Sequence, residues 1–110
     1  MSGDEDMNYF EIKPDGQAYI RTDSGTITHK VGSGEAVNQA DFNKDESLFV
    51  ITYNSGKCEI RDRKNNVVRE IAAEGVEEAF WRHEKVKSRI VKEYILLVMK
   101  NGEKQTLNLE

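Results

Sequence analysis

The segment LFVITYNSGKCEIRD, residues 48–62, indicates which class of fold this chain adopts. A run of β-branched and aromatic residues at 48–53 is followed by the turn sequence NSG at 54–56 and by a second run at 57–62. Asn and Gly tolerate the positive φ angles of tight hairpin turns, and β-branched and aromatic residues favour strands. The segment therefore predicts two antiparallel strands that are joined by a short turn.

Similar turn signals recur along the chain at short intervals, at 14–16, 23–25, 32–34, 65–66 and 101–102. The runs between the turns predict eight strands, at 9–13, 17–22, 26–31, 48–53, 57–62, 67–71, 94–100 and 104–107. Most of the gaps are short, so neighbouring strands are expected to be antiparallel, because parallel strands need a long crossover. The prediction is a mainly all-β fold, an antiparallel meander of about eight to ten strands.

Two of the predicted strands are apolar at consecutive positions, at 48–51 and at 95–98. A strand with one face in water alternates apolar and polar residues, whereas a strand that is buried on both faces does not. We therefore expect both of these strands to be covered on both sides.

The chain also repeats its own pattern, which bears on its domain organisation. IKPDG at 12–16 aligns with FNKDE at 42–46, and each is followed by an apolar strand and a turn. A third copy begins near residue 76 and resumes at 94–102, after an insertion that holds most of a basic segment. We predict one domain at 8–108 built from two to three repeats, with units at 9–33, 35–72 and 74–108, preceded by a flexible acidic tail at 1–7 and followed by a cloning scar at 109–110.

The segments that begin the second and third units, 36–42 and 76–87, are compatible with two structures. Val76, Ala79 and Phe80 have the spacing of an amphipathic helix, with acidic residues near its start and lysines near its end. The same segment also alternates as a strand does, and the repeat places an inner strand at this position. The sequence leaves strand and helix open for both segments, so the alternative fold is α+β with a helix near 76–87.

FNKDE at 42–46, GKCEIRD at 56–62 and NNVVREI at 65–71 follow one another within the middle unit. Together they resemble the corner, the Gly-x-x-x-Ile-Trp-Asp strand and the closing edge strand of a WD-repeat β-propeller blade. Arg61 stands at the Trp position of that strand. The Gly-His dipeptide of the family is absent, so its hydrogen-bonded tetrad is not carried over. NSGKCE at 54–59 also resembles the tryptophan–glycine β repeat.

The WD-repeat resemblance implies propeller-like sheets that work through protein–protein contact. A closed propeller needs about four or more blades of ~40 residues, and 110 residues supply fewer than that. The chain would therefore close by self-association, remain an open arc, or use blade-like sequence in a compact sheet or sandwich. Unpaired strand edges in an open arc promote pairing with another chain.

Composition is typical of a soluble single domain. Of the 110 residues, 37% are apolar and 33% are charged, and the net charge of −4 offers no general attraction to nucleic acid or to an anionic membrane. The longest apolar run, 94–99, is far shorter than the ~20 residues of a transmembrane helix, so no membrane contact is expected. Cys58 is the single cysteine, which excludes a disulfide within the chain and indicates a cytoplasmic location.

The sequence lacks the residue patterns of familiar catalytic and metal sites. His29 and His83 are its only histidines, and they do not have the spacing of a zinc site. Cys58 is expected to be an inert core thiol, and GSG at 32–34 lacks the lysine of a phosphate-binding loop. We therefore predict that the chain is not an enzyme and that it holds no cofactor and no metal.

A basic segment near the end of the chain is its strongest feature of charge. Between residues 82 and 92, five cations accompany one carboxylate, a local charge of +4. Cations in such a segment contact phosphates, and the adjacent Trp81 would stack on a base. A solvated face that balances the acidic remainder of the chain is the alternative interpretation. The basic patch consists of Arg82, Lys85, Lys87, Arg89 and Lys92.

Two functions follow from these patterns. The first is a non-catalytic protein–protein interaction or self-assembly module. Its candidate partner-binding residues are chosen because aromatic residues and arginine are enriched at binding hot spots. They are Trp81, Arg82, His83, Tyr53 and Arg61. The alternative is a compact α+β domain that binds a small ligand or nucleic acid through the basic segment 82–92.

Overall fold

The computed structural model describes residues 8–109. The predicted acidic tail at 1–7 and Glu110 of the predicted cloning scar lie outside the described residues. Leu109, the other residue of that scar, is partly buried and packs against a hydrophobic core cluster. Residues 8–109 contain no helix that is long and apolar enough to cross a membrane.

Residues 8–109 form ten β-strands in three antiparallel sheets, and each sheet is built from strands that are consecutive in the chain. The first sheet contains β1 (Asn8–Ile12), β2 (Ala18–Thr22) and β3 (Ile27–Val31). The second contains β4 (Val37–Phe42), β5 (Leu48–Tyr53), β6 (Cys58–Asp62) and β7 (Val67–Glu70). The third contains β8 (Val76–Val86), β9 (Arg89–Met99) and β10 (Lys104–Asn108). No helix occurs in this range, and the prediction of a mainly all-β fold is confirmed.

Local turn chemistry predicts the strand boundaries closely. Seven of the eight predicted strands begin and end within one residue of the observed ones, and the exception is β9, which begins five residues earlier than predicted. Both segments that the sequence left open are strands, β4 and β8. The alternative helix near 76–87 is therefore wrong, and with it the α+β fold.

A β-bulge explains why the beginning of β8 resembles a helix in sequence. The pairing of β8 with β9 shifts register between Val76 and Glu78, so that β8 contains one extra residue at this point. Val76 and Ala79 are both fully buried although they are three residues apart. Side chains two positions apart normally face the same side of a sheet, and the extra residue of a bulge lengthens this spacing to three. The spacing of Val76 and Ala79, which suggested a helix, arises in this way.

The middle sheet lies between the other two sheets, and β5 contributes to both interfaces. Phe49, Ile51 and Tyr53 belong to the core cluster that includes the first sheet, whereas Val50 belongs to the cluster that includes the third sheet. Every residue from 49 to 53 is buried. The expectation that this strand is covered on both sides is confirmed.

Strand β9 has the same two-sided apolar sequence, but it lies at the end of the stack. Ile95 and Leu97 are buried in the cluster shared with the middle sheet. Leu96 and Val98 alternate with them, face the opposite way and remain partly exposed. No further sheet of residues 8–109 covers that face. The expectation for 95–98 is therefore wrong for one of its two faces.

The segment that the sequence suggested as an insertion forms the far end of the β8–β9 hairpin. Because β10 pairs with β9 only from Tyr94 to Val98, β8 and β9 continue beyond this point as a two-stranded ribbon. Lys87 and Ser88 form its turn, with φ angles of 52° and 68°. Positive φ at both central residues normally selects Asn and Gly, so this turn carries no signal in the sequence. We call residues 82–93 the arm.

Candidate binding surfaces

The five predicted partner-binding residues do not form one surface. Tyr53, Arg61 and Trp81 are only 1%, 7% and 8% exposed, so they belong to the interior. Arg82 and His83 are exposed on β8, where the arm begins. Only these two of the five are therefore accessible to a partner.

Tyr53 and Arg61 share one carboxylate, that of Glu59. The Tyr53 hydroxyl donates to Glu59 Oε1 over 2.6 Å, and Arg61 Nε donates to the same oxygen over 2.9 Å. Burial raises the pKa of Tyr53, and the bond to Glu59 raises it further. Burial alone would lower the pKa of Arg61, but the bond to Glu59 and the neighbouring Tyr53 outweigh it, so the pKa is raised. Arg61 therefore stays charged and neutralises an interior carboxylate.

The same network joins the middle sheet to the linker that follows the first sheet. Arg61 Nη1 donates to Asn65 O over 2.6 Å. Gly32 N–H donates to Asn65 Oδ1 over 2.8 Å, Asn65 Nδ2 donates to Gly32 O over 3.1 Å, and Ser33 N–H donates to the Tyr53 hydroxyl over 3.0 Å. These partners are 33 and 20 residues apart in the chain, and no sequence signal predicted them.

Trp81 belongs to the core between the middle and third sheets. Its backbone N–H donates to Asp41 Oδ2 over 2.9 Å, and its indole Nε1 is buried with no hydrogen-bond partner among the described residues. Burial raises the pKa of Asp41, although the bond from Trp81 and the charge of Arg82 oppose the rise. Only 8% of Trp81 is exposed, so it does not present an open ring face for the predicted stacking on a nucleic-acid base.

Polar side chains of β4 hold β8 along this interface. Gln39 Nε2 donates to Ala79 O over 2.8 Å, and Gln39 Oε1 accepts from Ala79 N–H over 3.0 Å. Asn38 Nδ2 donates to Glu77 O over 2.5 Å. On this side β8 has no neighbouring strand within residues 8–109 to pair with its main chain. These contacts, together with the bond from Trp81 N–H to Asp41, give its main-chain groups hydrogen-bond partners there.

The residues considered for catalysis are dispersed. Cys58 is buried, and burial raises the pKa of its thiol to about 12, so the nucleophilic thiolate does not form at neutral pH. His29 lies on β3 of the first sheet, and His83 lies on β8 of the third. Within residues 8–109 no group of three or more His, Cys, Asp and Glu side chains is placed to hold a metal ion.

The outer face of the third sheet, a name we give to Phe80, Tyr94, Leu96 and Val98, is an apolar patch with a polar border. The border residues on the same side of the sheet are Glu78, Arg82, Lys104, Thr106 and Asn108. Phe80 pairs with Leu96 across β8 and β9, and Tyr94 and Val98 lie on the same side of the sheet. All four side chains are partly exposed, whereas their neighbour Ile95 on the inner face is fully buried. This sheet therefore presents apolar side chains to solvent.

The outer face of the first sheet is polar. Tyr9 pairs with Arg21, Glu11 pairs with Tyr19, and Lys30 pairs with Tyr19 from the other side. Arg21 forms an ion pair with Glu11. Charged and hydroxyl groups are well solvated here, so this face needs no cover.

The third sheet also has an unpaired edge at β10. In the middle sheet a fourth strand, β7, pairs with β6, whereas within residues 8–109 the third sheet has only three strands and none pairs with the outer edge of β10. Two grooves of about 220 and 250 Å³ lie beside β7. Ile71 and Leu107 line the first groove, and Val68 and Leu109 line the second. The interface between the middle and third sheets is therefore open along this rim.

The arm brings together all five residues of the predicted basic patch. Every residue from 82 to 89 is exposed. None of the five cations forms an ion pair with a residue in the described range, whereas four cations elsewhere do. Arg82 lies over the Phe80 ring at 5.2 Å and Lys92 over the Tyr94 ring at 6.0 Å. The cations of the ion pairs are Arg21, Lys57, Arg61 and Arg63.

Comparison with known proteins assigns the chain to no family. No protein-family model matches it, and no curated protein matches it. The likeness to a WD-repeat blade stays a resemblance, and within residues 8–109 no sheet closes into a ring.

Proposed function

We propose that this chain is a non-catalytic interaction module that self-associates through the outer face of its third sheet. The contrast between β5 and β9 carries the proposal. Both strands have apolar residues at consecutive positions, but β5 is buried on both faces and β9 on only one. A second apolar layer over Leu96 and Val98 would give β9 the environment that its sequence indicates.

Covering this face removes apolar area from water. Full burial of a Phe, Leu or Val side chain contributes about 1.5–3 kcal/mol relative to full exposure. Phe80, Leu96 and Val98 are already partly buried, so each contributes a fraction of that. A two-fold contact doubles the gain, because both copies bury the same residues.

A second copy of the third sheet suits this face better than the first sheet does. Apolar sheet faces pack about 10 Å apart with interdigitating side chains, so another apolar face is the best cover. In the third sheet the charged residues Glu78, Arg82 and Lys104 lie at the border of this face. The first sheet would instead bring Arg21 of its central strand into the middle of the contact, and this group loses hydration when it is buried. The proposed contact therefore joins two third sheets.

The resulting pair holds two stacks of three sheets. The WD-repeat resemblance supports the interpretation of each sheet as a blade-like unit. Two stacks of three sheets would supply the number of units that a propeller has, which is about four or more blades. Closing a ring would also bury the polar outer face of the first sheet, so the proposed particle is an open pair. A cytoplasmic location is part of the proposal, because an unpaired Cys58 suits a reducing compartment.

Light scattering after size exclusion tests self-association of the full chain. The unmodified chain is expected to have about twice its monomer mass of 12.6 kDa. Leu96→Lys places a charge at the centre of the contact and is expected to give the monomer mass. Far-UV circular dichroism checks that the variant keeps its β structure.

Tyr19→Lys is the matched control, because Tyr19 is a partly exposed residue on the outer face of the first sheet. Its mass is expected to equal that of the unmodified chain. The proposal is overturned if the unmodified chain is monomeric at every concentration tested. It is also overturned if Tyr19→Lys separates the pair and Leu96→Lys does not.

A further inference from the structure

The arm is long enough that the negative charge of the rest of the protein has little effect at its tip. Five residues in each strand, at about 3.3 Å per residue, give it a length of about 17 Å. The Debye length at physiological salt is about 8 Å. The carboxylates that make the net charge of the chain −4 are therefore largely screened at the tip of the arm.

The cations of the arm are distributed over both faces of the ribbon and its tip. Strand alternation and the pairing of β8 with β9 place Arg82, Arg89 and Lys92 on one face. Lys85 belongs to the next pair along the ribbon and lies on the opposite face. Lys87 occupies the turn. A ligand that surrounds the ribbon would therefore meet positive charge on both sides.

The charge of the arm is also available for binding. Residues 82–93 contain five cations and two carboxylates, Glu84 and Glu93, a net charge of +3. Because no residue in the described range forms an ion pair with these cations, no internal ion pair has to be broken. They are in a position to replace the counterions of a polyanion.

We infer that the arm binds duplex DNA by entering the major groove, with its cations on the phosphates of both groove walls. The major groove of B-DNA is about 12 Å wide and admits a two-stranded β-ribbon. A ribbon in the groove has a phosphate backbone on each side, which matches cations on both of its faces. This inference goes beyond self-association and uses residues 82–93 of the third sheet, of which Arg82 and Lys92 adjoin Phe80 and Tyr94 on the outer side.

Other anionic ligands match the arm less well. A flat membrane or an acidic protein surface meets one face of the ribbon and leaves Lys85 or Arg89 unused. Single-stranded nucleic acid stacks on exposed rings, but Trp81 is buried and cations lie over the rings of Phe80 and Tyr94. The major groove of duplex RNA is too deep and narrow to admit side chains.

Fluorescence anisotropy of the full chain with a labelled B-form DNA duplex, measured over a series of salt concentrations, tests this inference. Five phosphate contacts give a slope of log affinity against log salt of about −4.5. Lys85→Ala and Arg89→Ala remove one cation from each face. Each is expected to lower affinity about eightfold at 0.1 M salt and to reduce the slope by about 1.

Lys30→Ala is the matched control, because Lys30 is an exposed lysine of the first sheet, and its affinity is expected to be unchanged. Absence of binding at low salt overturns the inference, and so does equal affinity for single-stranded DNA. Loss of affinity in only one of the two arm variants rules out insertion between two groove walls. Binding to phosphatidylserine vesicles in place of the duplex assigns the arm to membranes. Light scattering of the same variants reports separately on self-association.

Discussion

The first and third sheets each pack one apolar face on the middle sheet, but they differ in what they present to solvent. In the first sheet the buried Ile20 lies between Tyr19 and Arg21, whose side chains are polar. In the third sheet the buried Ile95 is followed by Leu96, which is apolar and partly exposed. A polar face is stable in water, whereas an exposed apolar patch marks an interface. This difference between the two end sheets is the basis of the proposal that the chain self-associates through the third sheet.

The two junctions with the middle sheet differ as well. At the first junction the buried Glu59–Arg61 pair supports Asn65, which binds the linker after the first sheet. At the second junction the neutral Gln39 binds the main chain of Ala79. A buried ion pair costs more when it is broken than a neutral hydrogen bond does, so the two junctions are expected to respond differently to substitution.

The largest expected effect comes from shortening a side chain on each inner face. Ile20→Ala and Ile95→Ala each truncate a side chain that is 0% exposed. Each is expected to lower the free energy of unfolding by about 4 kcal/mol, because the substitution leaves a cavity. Urea denaturation followed by circular dichroism measures both losses. Similar losses in a single transition would mean that both end sheets unfold together with the middle sheet. A much smaller loss in Ile20→Ala would instead show that the first sheet opens separately.

Substitution at the two junctions is expected to have the next largest effect. Arg61→Met leaves the Glu59 carboxylate without its cation and is expected to cost about 3 kcal/mol of unfolding free energy. Gln39→Leu leaves the N–H and C=O of Ala79 without partners and is expected to cost about 2 kcal/mol. The same urea denaturation measures both variants.

The double variant Glu59→Gln with Arg61→Met is the control for the first junction. It removes both charges, so it is expected to recover part of the stability that Arg61→Met loses. If the double variant is as unstable as Arg61→Met, the loss reflects packing rather than an uncompensated charge. A larger cost for Gln39→Leu than for Arg61→Met would contradict the proposed difference between the junctions.

The smallest expected effect is at Asp41, and it depends on pH. Burial raises the pKa of Asp41 above its ordinary value of 3.8. The stability that protonated Asp41 contributes is therefore fully present below the pKa that Asp41 has in the unfolded chain. It is lost as pH rises through the higher pKa that Asp41 has in the folded protein. Asp41→Asn keeps an acceptor for Trp81 N–H and removes the charge. The variant is expected to be more stable than the unmodified chain at neutral pH, and this advantage should disappear in acid. Urea denaturation at both pH values measures the difference. If Asp41→Asn is less stable than the unmodified chain at neutral pH, this prediction is contradicted.

Much of the fold could be predicted because its signals are local. The turn residues at 54–56 and 101–102 mark where strands end, and the alternation of side chains marks the strands themselves. The arm shows where this reasoning fails. Its turn at Lys87 and Ser88 has positive φ angles without Asn or Gly, so the sequence predicts the beginning of β9 five residues too late.

The candidate surfaces could be predicted only in part. The basic patch is visible because it is a cluster of charge in the sequence, and the structure places all its members on the arm. Tyr53 and Arg61 have the residue types of binding hot spots, but the same types also form buried networks. Residue type alone does not distinguish these roles, because burial depends on partners that are distant in the chain.

By itself the sequence determined the all-β class, most of the strand boundaries and the concentration of positive charge near residue 87. These properties depend on side-chain periodicity and turn chemistry, which act over a few residues. Only the tertiary structure decided that β5 is covered on both faces and β9 on one, and that the basic segment stands out as a ribbon. Whether the faces of a strand are covered, and whether a hairpin extends beyond its sheet, depends on which sheets pack together. That packing involves residues far apart in the chain.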